Sequence, residues 1–248
     1  MAQKYDAIYL SPHLDDAALS CGGQVFQAAA AGQRILILTV MAGDAGSAAP
    51  AGYAALLHER WQLGANGVAQ RRREDAAACR ILGAAHQHWD VPDCIYRTDG
   101  QNQPLYAGWA QITGSVHPAD APLAPKIAER LAQLPPAGRV IAPLAVGGHV
   151  DHQIVRQAAE MVYGKRLFYY EDYPYAQAPG ALEEIISPAG QWTAVTIPLS
   201  ARELQVKARA IEAYVSQIST FFRDRDDLLR QITTYAQITG GERLWQRR

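Results

Sequence analysis

Tyr5-Asp6-Ala7-Ile8-Tyr9-Leu10-Ser11-Pro12-His13-Leu14-Asp15-Asp16-Ala17-Ala18-Leu19-Ser20-Cys21-Gly22-Gly23 is the stretch around which the chain is organised. Residues 5–10 read as a buried strand that Ser11-Pro12 ends. Residues 15–31 read as an alanine-rich helix that stops near Gly32. Asp15 and Asp16 fall in its first turn, where negative charge meets the positive end of the helix dipole. A histidine and two adjacent carboxylates therefore stand where a strand hands over to a helix.

The pattern repeats along the chain. Residues 34–41 form a near-continuous apolar strand, the kind a parallel sheet covers on both faces. Further strands are expected at 86–91, 139–146, 166–171 and 191–199. Helices are expected at 56–64, 70–83, 122–134, 151–163, 201–217 and 224–237. Ser200 with Glu203 forms a capping box at the start of the 201–217 helix. Gly22-Gly23 inside the first helix predict close helix–sheet packing. Residues 43–55 read as a loop, and residues 92–119 as an insertion loop over the active face. Gly240-Gly241 break the last helix before a basic tail. Strands alternating with helices give an α/β fold with a mostly parallel, doubly wound sheet and one domain over 1–248.

Composition narrows the function classes. A formal charge of -1 argues against a nucleic-acid binder, which would show a basic stripe. Cys21, Cys79 and Cys94 are scattered and odd in number, so neither a CxxC metal pair nor a disulfide framework is expected, and a cytoplasmic setting follows. No apolar run is long enough to cross a bilayer. A homo-oligomer is compatible with this composition.

A second histidine–carboxylate corner, His149-Val150-Asp151-His152, also follows a buried strand and opens a helix. Ligand sites of open α/β sheets lie at the carboxyl ends of strands. The two corners face one another if their strands are neighbours. One histidine and one carboxylate from the first corner, with one histidine from the second, make a three-ligand site. Such a site suits catalytic zinc with an open position for water, and equally the two-histidine, one-carboxylate triad of non-haem iron. Asp15, left over beside a ligand, is the natural general base for the activated water; His149 and Asp151 would stabilise or protonate the reacting centre. A metal-dependent hydrolase, an iron oxygenase and a non-catalytic metal- or nucleotide-binding protein all remain open at this point.

Other candidates have structural readings. Ser20 and Cys21 lie inside the helix, away from any nucleophile elbow. His58, His86, His88 and His117 read as surface or packing residues; His86 and His88 would share a strand face but show no carboxylate partner at a matching strand end. Trp89, Trp109, Tyr106 and Tyr96 read as core in preference to a carbohydrate-stacking wall.

Ser11-Pro12-His13-Leu14-Asp15-Asp16 resembles the PHxDD motif of the PIG-L/LmbE-like N-deacetylases, and His149-Val150-Asp151-His152 resembles their HxDH motif. Arg71 and Glu74, followed by Leu82-Gly83, are similar to the RxxE…LG helix between those motifs. The resemblance spans about residues 5–175, with residues 176–248 more variable. It implies a Rossmann-like fold and a zinc hydrolase, with Fe2+ or another divalent metal as substitute, that removes the acetyl group of an N-acetylated sugar conjugate of the N-acetylglucosamine type. Carried over by position, His13, Asp16 and His152 hold the metal and Asp15 is the base. His149 stabilises the oxyanion or protonates the amine, and Asp151 tunes His149 or His152. Arg71 and either Asp93 or Asp99 contact the sugar.

Overall fold

The computed structural model describes residues 4–45, 50–64, 66–187 and 190–248. Its strands are β1 (Tyr5–Ser11), β2 (Ile35–Thr39), β3 (Ala85–His88), β4 (Ala137–Pro143), β5 (Leu167–Tyr170), β6 (Trp192–Ile197) and β7 (Glu242–Arg247). They form one sheet in the order β3-β2-β1-β4-β5-β7-β6. The run from β3 to β5 is parallel, whereas β7 is antiparallel to both β5 and β6. The helices are α1 (Asp16–Ala30), α2 (Gly52–Arg60), α3 (Gly67–Leu82), α4 (Trp109–Ile112), α5 (Leu123–Leu131), α6 (Val150–Tyr163), α7 (Ala181–Ile186), α8 (Ala201–Glu212), α9 (Ile218–Phe221) and α10 (Arg225–Thr239).

The apolar strands are continuous because both of their faces are covered. Ile8, Leu10, Leu36, Leu38 and Val140 face α5 and α6, packing on Ile127, Leu131, Ile154 and Val155. Their alternates Ala7, Tyr9, Ile35, Ile37 and Ile141 face α1, α3 and α8. β1 lies between β2 and β4, with Ile8 opposite both Leu36 and Val140. Strand order reverses between β1 and β4, so the crevice at their carboxyl ends is the switch point where such sheets take ligands.

Several expectations need correcting. The third strand stops at His88, leaving Trp89 and Val91 beyond it. Of its histidines, His88 has a carboxylate partner, though not at a strand end: Nε2 lies 2.7 Å from Asp75 Oδ2 of α3. The 43–55 loop falls partly outside the described residues, at 46–49, and its end is already helix α2. The 92–119 insertion carries α4 and buries Cys94, Ile95, Leu105, Tyr106 and Ile112 with Val150. The helix expected to reach residue 217 ends at Glu212, because Tyr214 and Ser216 turn to bond Asp75 and Glu74. Among the described residues, no helix is long and apolar enough to cross a membrane.

The expected basic tail is β7. Its arginines do not disqualify it as a strand, because alternate positions are buried: Glu242 and Leu244 point inward. The glycine pair explains how α1 receives them. A Cβ on Gly22 would meet Lys207 Cγ at 3.1 Å, and one on Gly23 would collide with Leu199. The pair therefore serves close packing against α8 and the segment leading into it as well as against the sheet, where a Cβ on Gly23 would meet Glu242 Oε1 of β7 at 3.1 Å. Into that gap Glu242 reaches, accepting from Gly23 N at 3.0 Å, Gln24 N at 2.8 Å and Lys207 Nζ at 2.7 Å. All the groups in this knot are buried.

Two stability effects follow. Lys207→Met leaves the Glu242 charge without its cation and costs about 3–5 kcal/mol in urea unfolding, while Lys207→Met with Glu242→Gln recovers part of that loss. A single-variant cost below about 1 kcal/mol would refute the knot as a stabilising unit. The capping box at α8 is formed as expected, and its hydrogen bonds with Ser200 hold the Glu203 carboxyl below its usual range. A depressed folded pKa stabilises above the unfolded value, about 4.3, and that gain is lost as pH falls through the folded value. Glu203→Ala should thus lower the melting temperature at pH 7 and make little difference near pH 3.

Candidate active site

Local chemistry builds each corner. After β1, Ser11 Oγ donates to His13 O at 2.7 Å and accepts from Ala17 N at 3.1 Å, stitching the turn to the helix. The His13 amide donates to Asp16 Oδ2 at 2.7 Å, which fixes that carboxylate beneath the ring. After β4, Gly147 and Gly148 take left-handed φ values of 86° and 70° and bring His149 round to cap α6. His149 Nδ1 accepts from Asp151 N at 3.3 Å. A third corner lies after β5, where Asp172 accepts from Val146 N at 2.8 Å.

Because β1 and β4 are paired, the corners meet. Asp16 Oδ2 stands 3.3 Å from His13 Nδ1 and 3.3 Å from His152 Nε2. The far nitrogen of each ring faces a buried carboxylate: His13 Nε2 lies 2.9 Å from Asp151 Oδ2, and His152 Nδ1 lies 2.6 Å from Asp172 Oδ1. Both rings thus turn their remaining nitrogen towards Asp16. His13, His149 and His152 also offer ligand atoms within 4.8 Å of one another.

The charge of Asp151 does act on His149, raising its pKa against burial and the two neighbouring rings. The Asp151 carboxylate itself touches neither His149 nor His152; it takes His13, Cys94 N at 3.0 Å and, at 2.6 Å, Arg97. The Arg97 contact is an ion pair without an aligned hydrogen bond. The role expected of Asp151 at His152 falls to Asp172. Nothing in the sequence near Asp172 marks it, although its place just after an apolar strand was a usable signal.

Electrostatics separates the carboxylates. Burial works against charge on Asp16, yet His152 and His13 hold its carboxyl well below the usual range. Burial likewise opposes the charge on Asp151, and Arg97 and His13 overcome it. Asp15 has no such pairing: burial and the adjacent Asp16 push it up to about 7, against the pull of Arg71. Burial also works against protonation of His152, but Asp16 and Asp172 raise it to about 9. His149 goes the other way, lowered by burial and by the two neighbouring rings.

The remaining candidates divide. Arg71 lies 3.6 Å from Asp93 and 3.9 Å from Asp15, with its guanidinium 5.0 Å above the Trp61 ring and its buried Nε without a partner. Asp93 lines the same cleft. Asp99 instead accepts from Gln101 N and Gln103 N in its own turn. Trp89 and Tyr106 are buried as expected, but Trp109 is not core; it stands at the cleft with Tyr175. Sequence reasoning also missed Gln217, Thr220 and Phe221, which close the cleft from the far end of the chain. Glu74 holds that segment, accepting Ser216 Oγ at 2.6 Å and Ser216 N at 3.2 Å.

The comparisons agree with this geometry. A 2'-N-acetylparomamine deacetylase of Streptomyces fradiae is 30% identical over 252 residues, covering 96% of this chain and 80% of the relative. One of the same description from Niallia circulans is 30% identical over 187 residues, covering 68% of this chain and 67% of its own. The crystal structure of the zinc-inhibited form of teicoplanin deacetylase superposes with a TM-score of 0.83 at 28% identity, covering 98% of this chain and 97% of that one. Residues 8–163 match PIG-L, described as GlcNAc-PI de-N-acetylase, and the chain belongs to that family.

Proposed function

We propose that this chain hydrolyses the acetamide of an N-acetylated amino-sugar conjugate, with a divalent metal held by His13, Asp16 and His152. The family and its named deacetylases make the chain an N-deacetylase; the residue roles are our reading. One observation carries it: Asp16 Oδ2 is 3.3 Å from a free-facing nitrogen of each histidine. Metal–ligand bonds of about 2.0–2.1 Å in a tetrahedron place ligand atoms about 3.3–3.4 Å apart. Carboxylates behind both rings complete the arrangement usual around zinc-bound histidines. Two nitrogens and one oxygen suit zinc or ferrous iron better than softer or harder ions.

Such a metal supplies Lewis acidity, polarising the acetyl carbonyl and making water a stronger acid. The protein does the rest. Asp15, buried and with Arg71 no nearer than 3.9 Å, takes the proton of the attacking water and delivers it to the departing amine. His149 accepts the α6 amide through Nδ1, so its proton sits on Nε2, which donates to the developing oxyanion. Its lowered pKa keeps it a neutral donor. Arg71 and Asp93 flank the floor, offering one donor group and one acceptor to sugar hydroxyls. Of the two loop carboxylates, Asp93 is our choice for substrate contact, since Asp99 faces its own turn.

Asp15→Asn should lower kcat for amine release from N-acetylglucosamine conjugates by about 100- to 10,000-fold while metal content stays at wild-type level. Full turnover with metal still bound would rule out Asp15 as the base. Asp172→Asn should weaken zinc binding about 10- to 100-fold in a chelator competition, and an unchanged affinity would remove Asp172 from the metal's support.

A further inference from the structure

Trp109 begins α4 with 54% of its surface exposed, although it belongs to the wall of the cleft. An indole of this size left open to solvent beside a site has contact area to offer a ligand. It is also firmly placed. Trp109 O accepts from Thr113 N and Thr113 Oγ1 at 3.1 and 2.9 Å. Gln153 of α6 donates through Nε2 to Gly114 O at 2.8 Å and to Gly148 O, so α4 is fastened to the helix that carries His152. Beside the indole lies Tyr175, with ring centroids 6.3 Å apart and planes tilted by 35°. Tyr175 in turn fills the space a side chain on Gly147 would need, its Cβ and Cγ 3.0 Å from that position. The platform and the turn that presents His149 are thus packed as one wall.

Depth decides which part of a substrate meets this wall. His13, Asp15, Asp16, His149 and His152 are all buried, so the acetamide must reach the floor. Trp109 stands at the exposed mouth, where whatever is joined to that sugar has to lie.

We infer that Trp109, with Tyr175 beside it, is a specificity-determining platform for a second flat ring attached to the acetamido sugar. The inference rests on the deacetylation reading above. The indole face is electron-rich and takes the edge or face of a ring, a contact whose strength corresponds to about tenfold in affinity.

The methyl and phenyl glycosides of N-acetylglucosamine, of one anomeric form, differ at the position in question. With the metal-loaded enzyme, kcat/KM for amine release should favour the phenyl glycoside about tenfold, with the difference in KM. Trp109→Ala should shrink that preference towards unity, and Trp109→Phe should keep most of it. Trp109→Leu, apolar but without a π face, should behave like the alanine variant and covers the case in which alanine disturbs folding. No preference in the wild type, or a preference that survives Trp109→Ala, overturns the platform while leaving deacetylation intact. If neither glycoside releases amine, the deacetylation reading fails for these substrates. Calorimetric binding of the two glycosides to wild type and Trp109→Ala then decides the platform by the same ratio.

Discussion

Buried carboxylates keep their charge only where cations stand among them. Asp15, Asp16, Asp93, Asp151 and Asp172 are all buried at the carboxyl ends of neighbouring strands. Arg97 answers Asp151, and Arg71 stands off from both Asp15 and Asp93. The two imidazoles between Asp16 and the outer carboxylates are drawn towards the protonated state. This surplus of buried negative charge is what a divalent cation would neutralise. The rest of the architecture walls it in: the insertion packs along one side, and Gln217, Thr220 and Phe221 line another.

Much of this was legible in the sequence, for a physical reason. A doubly wound parallel sheet needs strands that are apolar throughout, and β1, β2 and β4 carry that signature plainly. Ligands lie where such strands end, so His13 and His149 drew attention by position as well as type. Their mutual approach required β1 and β4 to be neighbours, which the sheet order satisfies. The wiring behind the rings was not legible. Asp151 belongs to the motif containing His152 yet serves His13, because α6 points it across the crevice. Asp172 lies beyond any motif and becomes significant only once β5 pairs with β4.

The C-terminal part was the least readable because its pattern is amphipathic on both sides. β7, Glu242-Arg243-Leu244-Trp245-Gln246-Arg247, lacks the apolar–polar alternation of a half-buried strand, and in isolation reads as an exposed tail. Its inward carboxylate makes sense only beside Lys207 and the glycine-relieved surface of α1. Similarly, Glu74 and Asp75 look like ordinary helix-surface acids. In the fold they are the fastenings that bring Gln217 to the cleft. The adjacent acids thus join the variable part of the chain to the matched part.

The place of β7 also bears on the order of assembly. Among the described residues β6 pairs only with β7, which lies between it and β5. A growing polypeptide therefore makes β6 long before the strand that will hold it. Until residues 242–247 have left the ribosome, β6 has no hydrogen-bonding neighbour and the edge of β5 stays open. That interval is when a nascent chain of this topology offers two unsatisfied edges to other chains.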